Sequence, residues 1–223
     1  MELSKNHYDT FVDLLKDIKQ KTSLNSRQLE ILTTLNFFSQ FGNNDYLLNI
    51  IDIYDKFADA KIIAKKKMEE LGVSDYLMAK YSGKETASQY RDLDNQGLIK
   101  ELCSKLENKS LNVVDQVKAD MEFLEYTDYI NDKMAEDYFI VVDFKIYKDA
   151  TRPSLLLRRI CNGEELKTRI KQSSIFKRNP FGCFSVLRID GFTYEFKKKL
   201  DGDKWISTDE TEPILEEYEV VKN

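Results

Sequence analysis

The 223-residue sequence is poor in the residues that most enzyme active sites use. It contains a single histidine, His7, close to the N-terminus. A Ser-His or Cys-His nucleophile pair is therefore not expected, and a histidine-rich metal site is excluded. Glycines such as Gly72, Gly83 and Gly97 are isolated, so no glycine-rich phosphate loop occurs. We expect no enzymatic activity, no metal and no cofactor.

Cysteines and long apolar runs are also scarce. The three cysteines, Cys103, Cys161 and Cys183, are odd in number and widely spaced, which predicts buried reduced thiols. No apolar run approaches the roughly 18–20 residues that a membrane span needs. The N-terminus lacks a basic region followed by an apolar one. These absences predict a cytoplasmic protein with no membrane partner.

Proline is absent until Pro153, and the sequence pattern changes shortly before it. Residues before about 135 show apolar residues at helical spacing, whereas later residues form short β-rich runs broken by Gly, Pro and Asn. We therefore predict an α+β protein with two domains. Residues 1–135 form an all-helical region, and residues 136–223 form a small OB-like antiparallel β-barrel with an acidic C-terminal tail.

Helix-capping residues precede several of the apolar stripes in the first region. The expected caps are Asp9 or Thr10, Asn25 or Ser26, and Ser110 or Asn112. A long helix after Asn43 is predicted to extend toward Leu71, and the helical pattern continues in shorter pieces to Ile130. The basic run Lys65–Lys67 is interpreted as the favourable end of the long helix, with a phosphate site as the alternative.

The predicted barrel contains about five short strands. Apolar residues of period two mark the first strand, and Asn162-Gly163 indicates a hairpin between the second and third. Asp190-Gly191 marks a later turn. The predicted strands are Phe139–Tyr147, Arg152–Ile160, Leu166–Lys171, Cys183–Ile189 and Phe192–Lys197, with a last one near Lys204–Ile206.

Charge is unevenly distributed along the chain. The total of 34 Lys and Arg against 39 Asp and Glu gives a net charge of −5, which argues against a surface coated in phosphate-binding residues. From Asp137 to Lys199, however, 14 basic residues face 7 acidic ones, and the segment from Leu200 is acidic. The asymmetry indicates either an anion-binding barrel in an acidic molecule or a solvated surface with segregated charges.

Cations and aromatic rings are interleaved along the predicted hairpin and the loop after it. OB-type barrels bind single strands with this combination, because cations contact phosphates and rings stack on bases. Phe184 is expected to fill the barrel. For Phe176 and Phe181, which lie on predicted loops, both roles are left undecided: filling the barrel or stacking on a base. The predicted nucleic-acid-binding residues are Arg158, Arg159, Lys167, Arg169, Lys171, Phe176, Lys177, Arg178 and Phe181.

Several segments resemble one known family, in order along nearly the whole chain. They are Tyr8–Leu15, Leu24–Leu32, Phe37–Gly42, Gln116–Leu124, Tyr138–Asp143 and Ile175–Phe181. They resemble the C-terminal part of the bacterial DNA polymerase III alpha subunit, which comprises the helical region beyond the fingers and an OB domain. The family usually has Gly near Asn36 and at Glu125, and a His-Pro pair that is missing within Thr127–Asn131.

The resemblance implies a DNA-binding module without polymerase activity. The family's palm, with its metal-binding aspartates, lies upstream of this region, and no segment here matches it. The implied partners are single-stranded or primer-template DNA and other replication proteins, which the helical region would dock.

An alternative is a phage or mobile-element inhibitor of the anti-CRISPR kind. Such a protein would bind a host CRISPR nuclease and block its basic nucleic-acid channel. The acidic run Asp209–Glu219 would then imitate phosphates. The competing interpretation of that run is a solvated tail or a last strand with a polar face.

Overall fold

The computed structural model describes residues 7–146 and 153–222, which form an α+β protein. The chain divides into two compact units, Met1–Leu111 and Asn112–Asn223. The predicted ends Tyr147 and Arg152 of two strands lie outside the described residues. Within the described ranges, no helix is both long enough and apolar enough to cross a lipid bilayer.

The first unit is built mainly from six helices. Two of the helices begin at side chains that the sequence predicts as caps: Thr10 accepts from the Asp13 amide, and Asn25 forms a capping box with Gln28. The apolar stripes meet in one core that includes Leu15, Leu29 and Leu47. The helices are α1 (Phe11–Lys21), α2 (Ser26–Thr34), α3 (Asn44–Phe57), α4 (Lys65–Glu70), α5 (Asp75–Tyr81) and α6 (Asn95–Ser104).

A small antiparallel sheet interrupts these helices, and the prediction of an all-helical region is wrong here. Its strands β1 (Ile62–Ala64), β2 (Ser82–Glu85) and β3 (Gln89–Leu93) pair in the order β1-β3-β2. The predicted long helix ends at Phe57, and Lys65–Lys67 begin α4 instead of ending α3. Strands of three to five residues are too short to show a period of two.

Tyr90 anchors this sheet to the first core. The ring is fully buried, and its hydroxyl donates a 2.7 Å hydrogen bond to Asp75. Burial, followed by the hydrogen bond to Asp75, raises the pKa of Tyr90 to about 12. The proton is therefore held more tightly in the folded chain than in the unfolded one.

Stability of the first unit is expected to fall as pH rises above about 10, where an unfolded tyrosine begins to ionise. Between that pH and about 12 the unfolded chain loses the Tyr90 proton while the folded chain keeps it. Tyr90→Phe should reduce the alkaline slope of the free energy of unfolding, measured by urea denaturation across this range. Tyr76→Phe, at an exposed ring, is the control, and equal slopes in both variants would contradict the prediction.

The second unit begins with α7 (Val113–Leu124), so the division falls earlier than the predicted boundary at 135/136. Asn112 caps α7 by accepting from the Asp115 amide. Val117 packs with Ile140, Ile160 and Val186 on one face of the following sheet, which explains why the helix groups with the strands.

A seven-stranded mixed sheet follows, larger than the predicted small OB barrel, and the strands do not close into a barrel. Its order is β10-β7-β4-β5-β6-β9-β8, with β6 and β9 parallel and the other pairs antiparallel. The strands are β4 (Tyr138–Lys145), β5 (Ser154–Arg159), β6 (Glu165–Ile170), β7 (Val186–Arg188), β8 (Phe192–Asp201), β9 (Lys204–Leu215) and β10 (Glu219–Val220). Helix α8 (Ser173–Arg178) connects β6 to β7.

Candidate nucleic-acid interface

The two arginines at the end of β5 are held within the protein. Arg158 contacts Glu165 at 2.7 Å and donates to the Thr127 carbonyl at 2.5 Å. Arg159 lies 3.6 Å from the carboxylates of both Glu136 and Glu164. Its guanidinium also lies 5.0 Å from the ring centre of Phe139. Both predicted cations are therefore already paired, which lowers their capacity to bind phosphate.

The cations of β6 and the residue after it are paired in the same way. Arg169 contacts Glu212 at 2.5 Å and Glu195 at 3.4 Å, both on the hairpin of β8 and β9. Lys171 forms an ion pair with Glu216, and this hydrogen bond lowers the pKa of the Glu216 carboxyl. These pairs join strands that are distant in the sequence, so they stabilise the sheet more directly than they attract a ligand.

Three predicted cations remain exposed. Lys167 lies on β6, opposite Leu156 in the register, and Lys177 and Arg178 end α8. None of the three has an ion-pair partner among residues 7–146 and 153–222. Only this part of the predicted cluster retains cations available to an anion.

The two predicted stacking rings belong to a packed aromatic group. Phe181 is buried, and Phe176 is half-buried. Their ring centres are 5.3 Å apart, and Phe181 also lies 5.6 Å from Phe144 and 4.9 Å from Tyr218. Tertiary packing therefore encloses Phe181, which leaves little of its ring exposed for stacking on a base.

The strongest exposed combination of rings and cations lies elsewhere, on the long hairpin of β8 and β9, which we name the ribbon (residues 194–213). Tyr194, Phe196 and Trp205 are 67%, 59% and 68% exposed. Phe192 packs edge-on against Phe139 in the core, 5.7 Å between ring centres. Since Phe192, Tyr194 and Phe196 alternate along β8, this aromatic face continues the core face of the sheet.

Exposed lysines accompany these rings. Lys197 is paired with Glu210 at 2.8 Å. Lys198, Lys199 and Lys204 are exposed and have no ion-pair partner in the described part of the chain. The sequence pattern predicts strands here, but none of these rings or lysines is among the predicted binding residues. The missed signal is the run Lys197–Lys199 directly after Phe192, Tyr194 and Phe196.

The described residues contain little equipment for catalysis. No group of three His, Cys, Asp or Glu residues among them is placed to hold a metal ion. All three cysteines are free, but only Cys103 is buried as predicted; Cys161 is half-buried and Cys183 is exposed. Burial raises the pKa of the Cys103 thiol to about 11, which makes it a poor nucleophile.

The arrangement thus offers stacking surfaces and point charges. Comparisons with protein families, curated proteins and solved structures find no match for this chain.

Proposed function

We propose that this chain is a non-catalytic module that binds single-stranded DNA, with the ribbon as its principal contact. The observation that carries the proposal is that one hairpin exposes three aromatic rings together with three lysines that have no ion-pair partner among the described residues. Every base has a π-face, so stacking on such rings tolerates any sequence, while ammonium groups contact the backbone. Exposed apolar side chains that cluster into a patch often mark a binding site.

The strand order supports an OB-type origin for the second unit. Strands β4, β5 and β6 form an antiparallel meander, α8 follows, and β7 returns to pair with β4. We interpret β9 and β10 as one interrupted fifth strand, because β9 pairs with β6 and β10 pairs with β7. The ribbon then extends the connection between the fourth and fifth OB strands, a loop that binds oligonucleotides in OB folds.

Two backbone positions support the resemblance to the polymerase alpha subunit. Glu125 stands where that family usually has glycine, and Asn36 lies near another such position; their φ values are positive, 63° and 61°. Positive φ is the conformation for which glycine is preferred. The departures from the family pattern therefore keep the backbone geometry that glycine would provide, at some cost in strain.

The acidic segment on which an inhibitor function would depend is half neutralised by ion pairs within the molecule. It forms the end of β9 and β10, in place of a free tail. Glu210, Glu212 and Glu216 are paired with Lys197, Arg169 and Lys171. Carboxylates neutralised within the molecule are poor imitations of phosphates. We therefore prefer DNA binding to inhibition of a host nuclease.

The proposal predicts weak, salt-dependent binding of an oligo(dT) strand, with a dissociation constant in the micromolar range or above at moderate salt. Each phosphate contact contributes about 0.7 to the slope of log affinity against log salt for single strands. Replacing Lys198, Lys199 and Lys204 together by Ala should weaken binding and flatten this slope by up to about 2. Fluorescence anisotropy across several salt concentrations measures both quantities.

The matched control removes the same charge from other exposed lysines of the same unit, Lys118, Lys133 and Lys222. This triple variant should keep the slope of the parent protein. If both triple variants flattened the salt slope equally, net charge would be the cause of the effect. If the parent protein did not bind the oligo(dT) strand, the proposed function would be refuted.

A further inference from the structure

The three-stranded sheet of the first unit carries a second concentration of positive charge. Its register places Ile62 opposite Arg91, and Arg91 opposite Lys84, in one row across β1, β3 and β2. All three side chains are exposed. Ile63, Tyr90 and Glu85 form the neighbouring row on the opposite face, where Ile63 and Tyr90 enter the core.

Alternation around Arg91 assigns five residues to the exposed face of this sheet. They are Ile62, Ala64, Lys84, Gln89 and Arg91, and none of them is a carboxylate. The alternation stops at Asp92, which is exposed and has a φ of 54°, and Leu93 packs against the first core. The acidic neighbour of Lys84 in the sequence, Glu85, is on the other face and is held by Lys65. Arg91 makes a 3.0 Å hydrogen bond to Gln89, which leaves its charge unneutralised.

Three more lysines, Lys61, Lys66 and Lys67, flank β1 and are exposed. None of them, nor Lys84 or Arg91, has an ion-pair partner among the residues that the structure describes. This contrasts with the arginines of the second unit, where each predicted cation of β5 meets a carboxylate. We name the five cations and Ile62 the basic face.

Like charges directly opposite each other on neighbouring strands destabilise a sheet. Lysine on an edge strand is common because it discourages pairing with other chains, and this explains Lys84, since β2 is an edge. It does not explain Arg91, because β3 is the central strand. An external anion between the two side chains removes their repulsion, and adjacent strands lie close enough, about 4.8 Å apart, for both to reach one phosphate.

We propose that the basic face binds the phosphate backbone of a nucleic acid, as a site of the first unit separate from the ribbon. Arg91 supplies a planar donor that accommodates two phosphate oxygens, and the lysines act as point charges along the strand. The small, exposed side chain of Ala64 leaves the face open to a backbone. The proposal uses the ligand class of the proposed function but none of its residues.

The test uses the full chain and inorganic polyphosphate, which repeats phosphates but has no bases to stack on the ribbon. The variant Lys84→Glu with Arg91→Glu is expected to bind polyphosphate at least about 10-fold more weakly, because two charge-assisted contacts are lost. The control Lys16→Glu with Lys100→Glu makes the same charge change at exposed lysines of the same unit and should change affinity by less than about 3-fold. Isothermal titration calorimetry measures both.

Three further measurements make the outcomes distinct. Lys84→Thr should weaken polyphosphate binding without lowering the unfolding temperature, whereas a purely structural lysine would lower it. Trp205→Ala should leave polyphosphate affinity unchanged, so failure of the ribbon and failure of the basic face are separable. Equal losses in the two double variants would overturn the proposal, and so would competition by poly-glutamate at equal affinity, which would indicate an acidic protein partner.

Discussion

Replacing Trp205 by Ala is expected to weaken the binding of an oligo(dT) strand by about 5- to 150-fold, because each base stacked on an aromatic ring contributes about 1–3 kcal/mol. The ring is 68% exposed and stands directly opposite Leu200 near the end of the ribbon. Little packing is lost with it, so the unfolding temperature should stay within about 2 °C of the parent value. Fluorescence anisotropy and circular dichroism measure the two effects.

Trp205→Phe keeps a stacking face and should retain most of the affinity. Tyr76→Ala serves as the control, since this ring of the first unit is 81% exposed and has no place in the proposed interface. If Tyr76→Ala and Trp205→Ala had the same effect on binding, general loss of exposed aromatic surface would be the cause. Unchanged affinity in Trp205→Ala would remove the ribbon from the interface.

Local signals in the sequence predict many of the elements. Thr10, Asn25 and Asn112 cap helices as expected, because a polar side chain before an apolar stripe satisfies free amides whatever the tertiary context. The Asn162-Gly163 turn joins β5 to β6, with Gly163 at φ 74°. These features depend on neighbours within a few residues, and such neighbours are visible in the sequence.

The candidate site was less predictable because its charges are paired across long sequence distances. Arg169 meets Glu212 only because β6 and β9 pair in parallel, an arrangement that no local pattern specifies. The same holds for Lys171 and Glu216. Composition reveals a basic segment followed by an acidic one, but only the register shows that the two neutralise each other and leave the ribbon lysines exposed.

The burial of aromatic rings is also hard to predict from the sequence, for a buried ring and for an exposed one alike. Phe181 follows a proline in a predicted loop, and the sequence gives no sign that Phe144, Phe176 and Tyr218 surround it. Phe196 belongs to an alternating strand pattern that normally indicates a core face, yet it is 59% exposed because β8 extends beyond the residues that pack on it. Whether each ring is buried or exposed depends on the residues that pack against it in the fold.

The two phenylalanines should therefore respond oppositely to truncation. Phe181→Ala is expected to destabilise the second unit by about 3–5 kcal/mol, the cost of removing a buried ring and leaving a cavity beside its aromatic neighbours. Phe196→Ala removes an exposed ring and should change the free energy of unfolding by less than about 0.5 kcal/mol while weakening oligo(dT) binding. Urea denaturation followed by circular dichroism measures stability, and fluorescence anisotropy without urea measures binding.

The sequence interpretation makes the contrary prediction, that Phe181 is a stacking ring on a loop. If Phe181→Ala abolished binding and left the unfolding transition in place, that interpretation would be correct and the ribbon would lose its role as the principal contact. A loss of stability in Phe181→Ala, together with a loss of affinity alone in Phe196→Ala, would assign the first ring to the core and the second to the DNA.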